Sequence, residues 1–515
     1  GKASTSTKLI VLAEDKQVDL FHTPDGKGYA TVPVKKHKQT WPISCKGFKD
    51  WLRGEFYKKY RKPPNSQALT DALGVLDANA QFEGEKHQVF TRIAWKDGNV
   101  YIDLAGPSGR VVKVTPSGWN VLDVSEVRFT KGKNLAEIPE PQLGGVIEEL
   151  SGFVNIQGEV VDSWRRLFAG LVAAFLKGPF TILAIVGESG SAKTTTTRVL
   201  TLLIDPSEAD LRSLPRSERD LMITAVNGWV LAFDNVSGVP IWVSDAFCRL
   251  ATGSGFTTRE LYTNSEEAIF KAKRPLILNG IDDMANRGDL LSRTILLSLF
   301  PIKETIDEGK FWTRFEETRP KIFGSILEIL SKVLYILPTL EVSGLPRMAD
   351  FARVGVAVEK ALIWPEGTFL DAYKTNRNKS SALPLESLFA VSLIDFITKT
   401  KEWEGTATEL LSEINEVVEK ERRINLKEWP KTPQVLGSEL RRLAPNLRTT
   451  GIYIQWGDGS KRRTFKITRE DKHGKSLSQP SPSSPFHKKS INGDNDDNGD
   501  SLSPILSSGR RFLKL

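Results

Sequence analysis

The chain has 515 residues, of which 40% are hydrophobic, and its 71 Lys and Arg against 63 Asp and Glu give a formal net charge of +8. This predicts a globular protein of about three domains whose basic excess suits an anionic partner such as nucleic acid. Its two cysteines, Cys45 and Cys248, exclude a disulfide framework and a cysteine-rich zinc site. No apolar run approaches the ~20 residues of a membrane span, and no signal peptide is evident, so we expect a cytoplasmic protein.

Residues 1–130 alternate short apolar strands with glycine and proline turns, which predicts an N-terminal α+β domain. Two helices are predicted within it, over 48–60 and 67–80. The first lies in a basic and aromatic cluster that either grips phosphates and stacks bases, or has its aromatic side chains in the core and its lysines in solvent. The cluster comprises Lys46, Lys49, Trp51, Arg53, Tyr57, Lys58, Lys59, Tyr60, Arg61 and Lys62.

Residues 131–145 are rich in glycine and proline and predict a linker, and a nucleotide-binding domain follows over 146–302. Within that domain, 181–195 predicts a buried strand, a loop of small residues and the start of a helix. Glycine at the loop lets the backbone wrap closely around a phosphate, and the helix presents its positive end to the anion. Lys193 would then reach the β- and γ-phosphates of ATP, and the Thr194 hydroxyl would bind Mg²⁺.

The loop departs from the usual phosphate-loop pattern at one position, because Ala192 stands where a glycine normally precedes the lysine. We expect Ala192 to adopt the helical dihedral angles of a helix start. The residues expected to contact the nucleotide are Gly187, Glu188, Ser189, Gly190, Ser191, Ala192, Lys193, Thr194 and Thr195.

Two further apolar strands end in polar side chains. The strand over 229–233 is followed by Asp234 and Asn235, and the strand over 274–278 by Asn279. Ligands bind at the carboxyl ends of such strands, where an aspartate can hold the water shell of Mg²⁺ and an asparagine can orient a water or touch a phosphate. We therefore expect Asp234 and Asn279 to lie beside the phosphate loop.

The spacing of these residues resembles an AAA+ ATPase of the superfamily 3 helicase type, as in phage, plasmid and poxvirus primase-helicases, with a plan related to the MCM helicases. Asp234 follows Lys193 by 41 positions, and Asn279 follows Asp234 by 45. The resemblance implies an α/β fold with an AAA+ P-loop ATPase core, Walker B at Asp234 and Asn235, and a sensor asparagine at Asn279. The implied cofactors are ATP and Mg²⁺, the latter held by Thr194 and Asp234.

In the same families an arginine finger completes the site of the neighbouring subunit. Arg293, 14 positions after Asn279, matches its place, and Arg287 is the close competitor. Since a finger acts from a neighbour, the resemblance implies a homo-oligomer, expected to be a hexameric ring. The N-terminal domain would then be a DNA-binding domain or a collar of the ring.

One departure from the family pattern bears on mechanism. Many relatives carry a carboxylate at the second Walker B position, whereas this chain has Asn235. An amide orients a water but cannot accept its proton. Hydrolysis would then be slow, or a base would come from elsewhere, with Glu188 and Asp245 as candidates.

DNA contacts are expected in two places. Two predicted strands, over 256–262 and 268–273, resemble the hairpin that lines the ring channel, although the turn at 263–267 is acidic where a basic tip is expected. After a helical lid over 303–384, residues 385–470 predict three helices and a hairpin, which resembles a winged helix. The residues expected to bind DNA are Arg259, Lys271 and Lys273 in the hairpin, and Arg441, Arg442, Lys461, Arg462 and Arg463 in the winged unit.

Residues 471–515 are rich in Ser, Pro, Asn and Asp and predict a disordered tail.

The whole pattern favours an ATP-dependent hexameric DNA helicase serving a mobile element. Two alternatives are an initiator or loader that remodels duplex DNA without unwinding it, and a nucleotide-gated scaffold that hydrolyses little. Because the sequence begins with Gly1, we expect a processed or truncated chain, and a primase-polymerase domain or partner is worth seeking.

Overall fold

The computed structural model describes residues 3–470 except 36, 131, 133, 157–159, 255, 260–266, 271, 281–287, 303–305, 383–384, 386, 419–428 and 458–463, and gives the backbone alone at 160, 256–259, 267–270 and 380–382. Residues 1–469 form one compact unit, and a second unit begins at 470. The tail predicted over 471–515 lies outside the described residues.

A four-stranded sheet packed against three helices forms the N-terminal part. The strand order is β3-β2-β1-β4, with β4 parallel to β1 and the other pairs antiparallel. Helix α1 was missed, because its apolar residues form one continuous run from Leu9 to Ala13, which does not show the spacing of an amphipathic helix. The elements are α1 (Thr5–Asp15), β1 (Asp19–His22), β2 (Gly28–Val34), β3 (His37–Pro42), α2 (Lys46–Tyr60), α3 (Ser66–Phe82) and β4 (Glu85–Lys86).

A second sheet follows, and its core is continuous with that of the central region. Strands β6 to β9 form an antiparallel meander, and two short strands, β5 and β10, pair in parallel beside it. Ile102 and Val112 of the meander lie in the same apolar cluster as Ile185 of the phosphate-loop strand. The strands are β5 (Val89–Phe90), β6 (Ile93–Lys96), β7 (Asn99–Asp103), β8 (Val111–Thr115), β9 (Gly118–Leu122) and β10 (Arg128–Phe129).

The described part of the predicted linker, 132 and 134–145, packs on the protein instead of spanning a gap. Ile138 is 1% exposed, and the Gln142 N–H donates to the Pro320 carbonyl oxygen at 3.0 Å. A Cβ on Gly324 would lie 1.9 Å from the Gln142 carbonyl oxygen, so only glycine admits this crossing. Glycine and proline here make a close-packed crossing instead of a flexible connection.

The central region is a four-stranded parallel sheet with the order β12-β15-β11-β16. The strands predicted from apolar runs at 182–186, 229–233 and 274–278 are all in this sheet, with shifted ends for the last two. Its elements are α4 (Val160–Ala173), β11 (Ile182–Val186), α5 (Lys193–Ile204), α6 (Glu218–Asn227), β12 (Leu231–Val236), α7 (Ile241–Thr252), the hairpin strands β13 (Phe256–Arg259) and β14 (Glu267–Phe270), β15 (Leu276–Gly280), α8 (Gly288–Leu291) and β16 (Thr294–Ser298).

Three long helices follow: α9 (Glu308–Ile336), α10 (Ala349–Ala361) and α11 (Thr368–Ala382). Helix α9 runs through Pro320, a residue type that usually ends a helix. Apolar residues on both sides of the proline are buried, and their packing outweighs a cost of about 3 kcal/mol. By length and composition alone, Glu308–Thr339 is the one helix among the described residues that could cross a membrane, and 56% of its apolar window is buried. That burial is typical of a core helix.

The C-terminal part has its own apolar core. The three predicted helices and the two strands of the hairpin are present, and an additional strand, β17, pairs antiparallel with β19 to give the order β17-β19-β18. The elements are α12 (Leu388–Thr400), β17 (Glu402–Thr406), α13 (Ala407–Val417), α14 (Pro433–Leu447), β18 (Ile452–Trp456) and β19 (Thr464–Arg469). The strand β17 was not predicted, because its sequence, Glu-Trp-Glu-Gly-Thr, has a single large apolar residue and gives a weak strand pattern.

A fully buried ion pair joins the second sheet to the central region. Arg92, just before β6, donates from Nε to Asp205 Oδ1 at 2.7 Å, and Asp205 ends α5. Asp205 Oδ2 also accepts the N–H groups of Trp229 and Val230, at 2.6 and 3.0 Å, just before β12. One carboxylate therefore holds the end of α5 and the entry to β12.

Replacement of Arg92 by alanine should lower the free energy of unfolding by about 3 to 5 kcal/mol, because it leaves the buried Asp205 carboxylate uncompensated. Urea unfolding followed by tryptophan fluorescence measures the loss. The control is Lys27→Ala, which removes a pair whose side chains are 68% and 59% exposed and should cost under about 1 kcal/mol. Equal losses in the two variants would contradict a structural role for the buried pair.

Candidate functional site

The predicted phosphate loop lies at the carboxyl edge of the parallel sheet, between β11 and α5. At Gly187 the backbone has φ +154°, and a Cβ would lie 2.4 Å from the Leu299 carbonyl oxygen after β16. The neighbouring strand therefore approaches the loop as closely as glycine alone permits. Gly190 has φ +78°, a second left-handed turn that glycine adopts without strain.

Side chains from inside and outside the loop hold its carbonyl groups. Lys193 Nζ donates to the carbonyl oxygens of Gly187 and Glu188, both at 2.7 Å. The Asn155 side-chain amide donates to the Ser191 carbonyl oxygen at 3.3 Å and to that of Phe300 at 2.6 Å. These bonds fix the shape of the loop and keep the Lys193 ammonium at its centre, where a phosphate would bind.

The expectation for Ala192 was wrong. Its backbone is left-handed, with φ 62° and ψ 31°, at the N-cap of α5. A Cβ in this conformation costs about 1 to 2 kcal/mol, which explains why glycine is usual at this position. The loop keeps its turn in spite of the alanine, because the hydrogen bonds on both sides hold it there.

The Thr194 hydroxyl, in the first turn of α5, donates to Asp234 Oδ1 of β12 at 3.1 Å. The sheet thus brings together the two residues predicted to bind Mg²⁺. Among the described residues, no group of three or more His, Cys, Asp or Glu could hold a metal ion by itself. A hydroxyl and one carboxylate are oxygen ligands of the kind that Mg²⁺ prefers, and this pair would hold the ion only together with substrate phosphates and water.

Asn279, at the carboxyl end of β15 and 1% exposed, connects the two elements that carry this pair. Its Oδ1 accepts the Asn235 N–H at 3.0 Å, and its Nδ2 donates to Thr197 Oγ1 at 2.7 Å. Thr197 Oγ1 in turn donates to the Lys193 carbonyl oxygen at 2.8 Å. The amide thus positions the end of β12 and the first turn of α5.

Asn235 occupies a left-handed backbone position, with φ 54°, where the register of β12 against β15 shifts. Asparagine tolerates this conformation better than most residues, so the local backbone favours an amide here. Of the alternative bases, Glu188 is exposed within the loop, and Asp245 lies on α7 one turn before Cys248.

Arg293 lies at the opposite edge of the sheet from the phosphate loop. It directly precedes β16, and its carbonyl oxygen accepts the N–H of Ile182, the first residue of β11. The loop follows the last residue of this five-residue strand, roughly 13 Å away along the sheet. Arg293 therefore does not meet the phosphate loop of its own chain.

The Arg293 side chain forms an ion pair with Asp289 and lies 3.8 Å from Cys248 Sγ, measured from Nη1. Arg347, 47% exposed, forms a second ion pair with the same carboxylate at 2.8 Å. Although burial alone would raise the pKa of Asp289, the hydrogen bond from Arg293 and the charges of Arg293 and Arg347 lower it. Burial raises the pKa of Cys248 to about 11, so this thiol is protonated at neutral pH.

The predicted DNA contacts are described in part. The hairpin strands β13 and β14 pair as expected, but β14 ends at Phe270, and the stem of Lys273 packs against Gly253 instead of continuing the strand. Arg441 lies over the Trp456 ring at 4.9 Å, and Arg442 is paired with Glu439. The side chains of Arg259, Lys271, Arg287, Lys461, Arg462 and Arg463 lie outside the described residues.

Two family models match the chain. Residues 153–378 match one described as an actinomycete integrative conjugative element replication protein, and residues 389–483 match one described as the RepA C-terminal domain of such elements. These two segments are therefore similar to the replication proteins of integrative conjugative elements. The first match contains the parallel sheet and its helices to within α11, and the second contains the C-terminal part.

Two solved structures are similar to most of the chain at low sequence identity. SCCmec type IV Cch, described as an active helicase, shares 12% identity over 88% of this chain and 92% of its own, with a TM-score of 0.44. The apo C-terminal region of NrS-1 shares 11% identity over 90% of this chain and 99% of its own, with a TM-score of 0.39. None of the curated proteins matches this chain.

Sequence reasoning missed three residues that the structure brings to these sites. Asn155 donates a hydrogen bond to the phosphate loop, and Thr197 accepts one from the Asn279 amide. Arg347 forms an ion pair with Asp289, as Arg293 does. Thr197 is one of a run of threonines after Lys193, so its position on the inner face of α5 was the available signal. Asn155 and Arg347 stand in irregular segments without a motif.

Replacement of Ala192 by glycine should stabilise the protein by up to about 1 kcal/mol, since removal of the left-handed Cβ strain outweighs the added chain entropy of the unfolded state. Chemical denaturation measures this difference. Ala78→Gly on the exposed side of α3 is the control, and should destabilise by about 0.5 to 1 kcal/mol. Destabilisation by both substitutions would contradict strain at Ala192.

Proposed function

We propose that the chain is an ATP-driven helicase that acts on DNA during replication of a mobile element. The observation that carries the proposal is the 3.1 Å contact between Thr194 of the phosphate-loop helix and Asp234 near the carboxyl end of the apolar strand β12. A lysine at the centre of the loop and a hydroxyl–carboxylate pair beside it are the groups that a nucleoside triphosphate with Mg²⁺ requires. The match to a replication protein family supports DNA as the substrate.

In this proposal Lys193 exchanges its bonds to the Gly187 and Glu188 carbonyl groups for the β- and γ-phosphates. Thr194 and Asp234 would hold Mg²⁺, which would supply positive charge against the negative charge that develops on the phosphates during transfer. Asn279 keeps the end of β12 in register with α5 through its two hydrogen bonds. Asn235 orients the attacking water without accepting its proton.

Arg293 completes the site of a neighbouring subunit in a ring, for which we favour six copies. Its place on the amino edge of the sheet supports action in trans, because it lies roughly 13 Å along β11 from its own loop. Release of the Asp289 ion pair would free the guanidinium to reach a phosphate across the interface. Arg347 is the alternative finger, since it is more exposed and is held by the same carboxylate.

The C-terminal part supports DNA binding by its element order. Helix α12, strand β17, helices α13 and α14, and strands β18 and β19 follow the order of a winged helix with a three-stranded sheet. Arg441 and Trp456, 40% exposed, present a cation and an aromatic ring at the start of the wing. We propose this unit as a second DNA contact.

A second candidate function follows from Asn235. With an amide in place of the catalytic carboxylate, a ring could bind ATP, load onto duplex DNA and hydrolyse slowly, as an initiator or a nucleotide-gated scaffold does. The two functions differ in a measurable way. Strand separation on a forked duplex supports the helicase, and duplex binding without separation supports the initiator.

Replacement of Lys193 by alanine should lower ATP hydrolysis by about 100-fold or more and abolish strand separation, because the loop loses the ammonium group that would neutralise the β- and γ-phosphates. A coupled ATPase assay and a fluorescent forked-duplex assay measure the two losses. The control Lys177→Ala, in the turn before β11, should keep both activities. A wild-type protein that hydrolyses no ATP would refute both enzymatic functions.

Mixing variants tests the trans arrangement. Arg293→Ala and Lys193→Ala proteins should each be inactive, whereas an equal mixture should recover about one quarter of the wild-type sites, since each active interface needs one intact loop and one intact finger. ATPase rates after co-assembly measure the recovery. Arg347→Ala in place of Arg293→Ala distinguishes the two candidates, and absence of recovery with either would contradict a shared site.

A further inference from the structure

Helix α2 and the two residues after it carry the densest run of positive charge among the described residues. Residues 46–62 contain seven Lys and Arg and two acidic residues. The apolar face of α2, formed by Phe48, Leu52 and Phe56, is buried in the N-terminal core. Trp51 and Tyr60 of the basic and aromatic cluster also pack against this core, whereas the charged side chains lie on the solvent side of the helix.

The acidic neighbours of this helix neutralise only part of its charge. Glu55 pairs with Lys58, Asp15 with Lys59, and Asp50 lies 3.4 Å from Arg53. Four cations in this run form no ion pair within the described part of the chain: Lys46, Lys49, Arg61 and Lys62. The remaining charge is therefore available to an anion.

An exposed aromatic ring lies among these cations. Tyr57 is 53% exposed, and the helical spacing of Lys46, Arg53 and Tyr57 puts all three on one exposed stripe, about 120° around the helix from the buried face. Gly54 beside this stripe has open space around its missing Cβ, so a partner could approach the backbone closely. Arg61 extends the stripe beyond the helix end, giving a row roughly 22 Å long from Lys46.

We propose that this face of α2 binds single-stranded DNA, with the free cations on successive phosphates and Tyr57 stacked on an unpaired base. A basic row with an aromatic ring is the arrangement that binds single strands without sequence preference, because every base has a face to stack. Paired bases in a duplex offer no such face. The proposal rests on the DNA-acting role proposed above and assigns it a site in the N-terminal part.

The test uses the full chain carrying Lys46→Gln, Lys49→Gln, Arg61→Gln and Lys62→Gln together. Fluorescence anisotropy with a labelled mixed-sequence 30-nucleotide strand should show affinity at least about tenfold weaker, and a slope of log affinity against log salt smaller by about 3, for four lost phosphate contacts. In a separate variant, Tyr57→Ala should weaken single-strand binding by about 5- to 150-fold and leave duplex binding unchanged.

The matched control replaces four exposed lysines on α9, α10 and α11 by glutamine: Lys310, Lys332, Lys360 and Lys374. This control lowers the net charge by as much as the α2 variant does. Its slope of log affinity against log salt should stay within about one unit of the wild-type slope. If the wild type binds DNA and both quadruple variants lose affinity equally, the α2 site is refuted while the helicase proposal stands. If the wild type binds no single-stranded DNA, both the α2 site and the helicase proposal are refuted. Circular dichroism verifies that each variant is folded.

Discussion

One buried carboxylate fixes the geometry of the candidate site. Asp205 closes the C-terminal end of α5 and accepts two N–H groups at the entry to β12, while Arg92 neutralises it from the second sheet. At the other ends of these two elements stand Thr194 and Asp234. Because both elements are rigid and share an anchor at one end, their tips meet at 3.1 Å, and Asn279 joins them again near the tips. The site thus depends on a residue that does not take part in it.

The sequence predicted the parts of the fold whose physics is local. An apolar strand, a glycine loop and a helix start are encoded within 181–204, and the polar strand ends were visible for the same reason. Features set by tertiary packing were not predictable in this way. Helix α9 continues through Pro320 because its flanks are buried, β17 exists because β19 offers it an edge, and Ala192 is left-handed because the loop is held from both sides. In each case distant contacts outweigh the local preference.

The positions of Lys193 and Arg293 at opposite edges of one sheet have a structural consequence. Within one chain these two groups cannot act on the same phosphate, yet a head-to-tail assembly brings the amino edge of one copy to the loop of the next. Asp289 holds both Arg293 and Arg347, so the carboxylate keeps two cations together at that edge. If a neighbouring subunit supplied groups that bind the Asp289 carboxylate, Arg293 or Arg347 would be released from its ion pair. The arginine released would be the one that the neighbour's bound phosphate attracts more strongly. Assembly and activation would then be a single event.

Positively charged residues identify a DNA-binding surface only when those already held in ion pairs are left out of the count. Arg442 in the C-terminal part is held by Glu439, and Lys273 lies against Gly253, whereas the row from Lys46 to Lys62 keeps four unpaired cations. Counterion release depends on charges that can meet phosphates, so a neutralised arginine contributes little. Under the proposed function, the N-terminal part would hold the strand on which the ATPase acts. If single strands bind there, the row on α2 would also raise the local concentration of DNA, which favours rapid engagement at low salt.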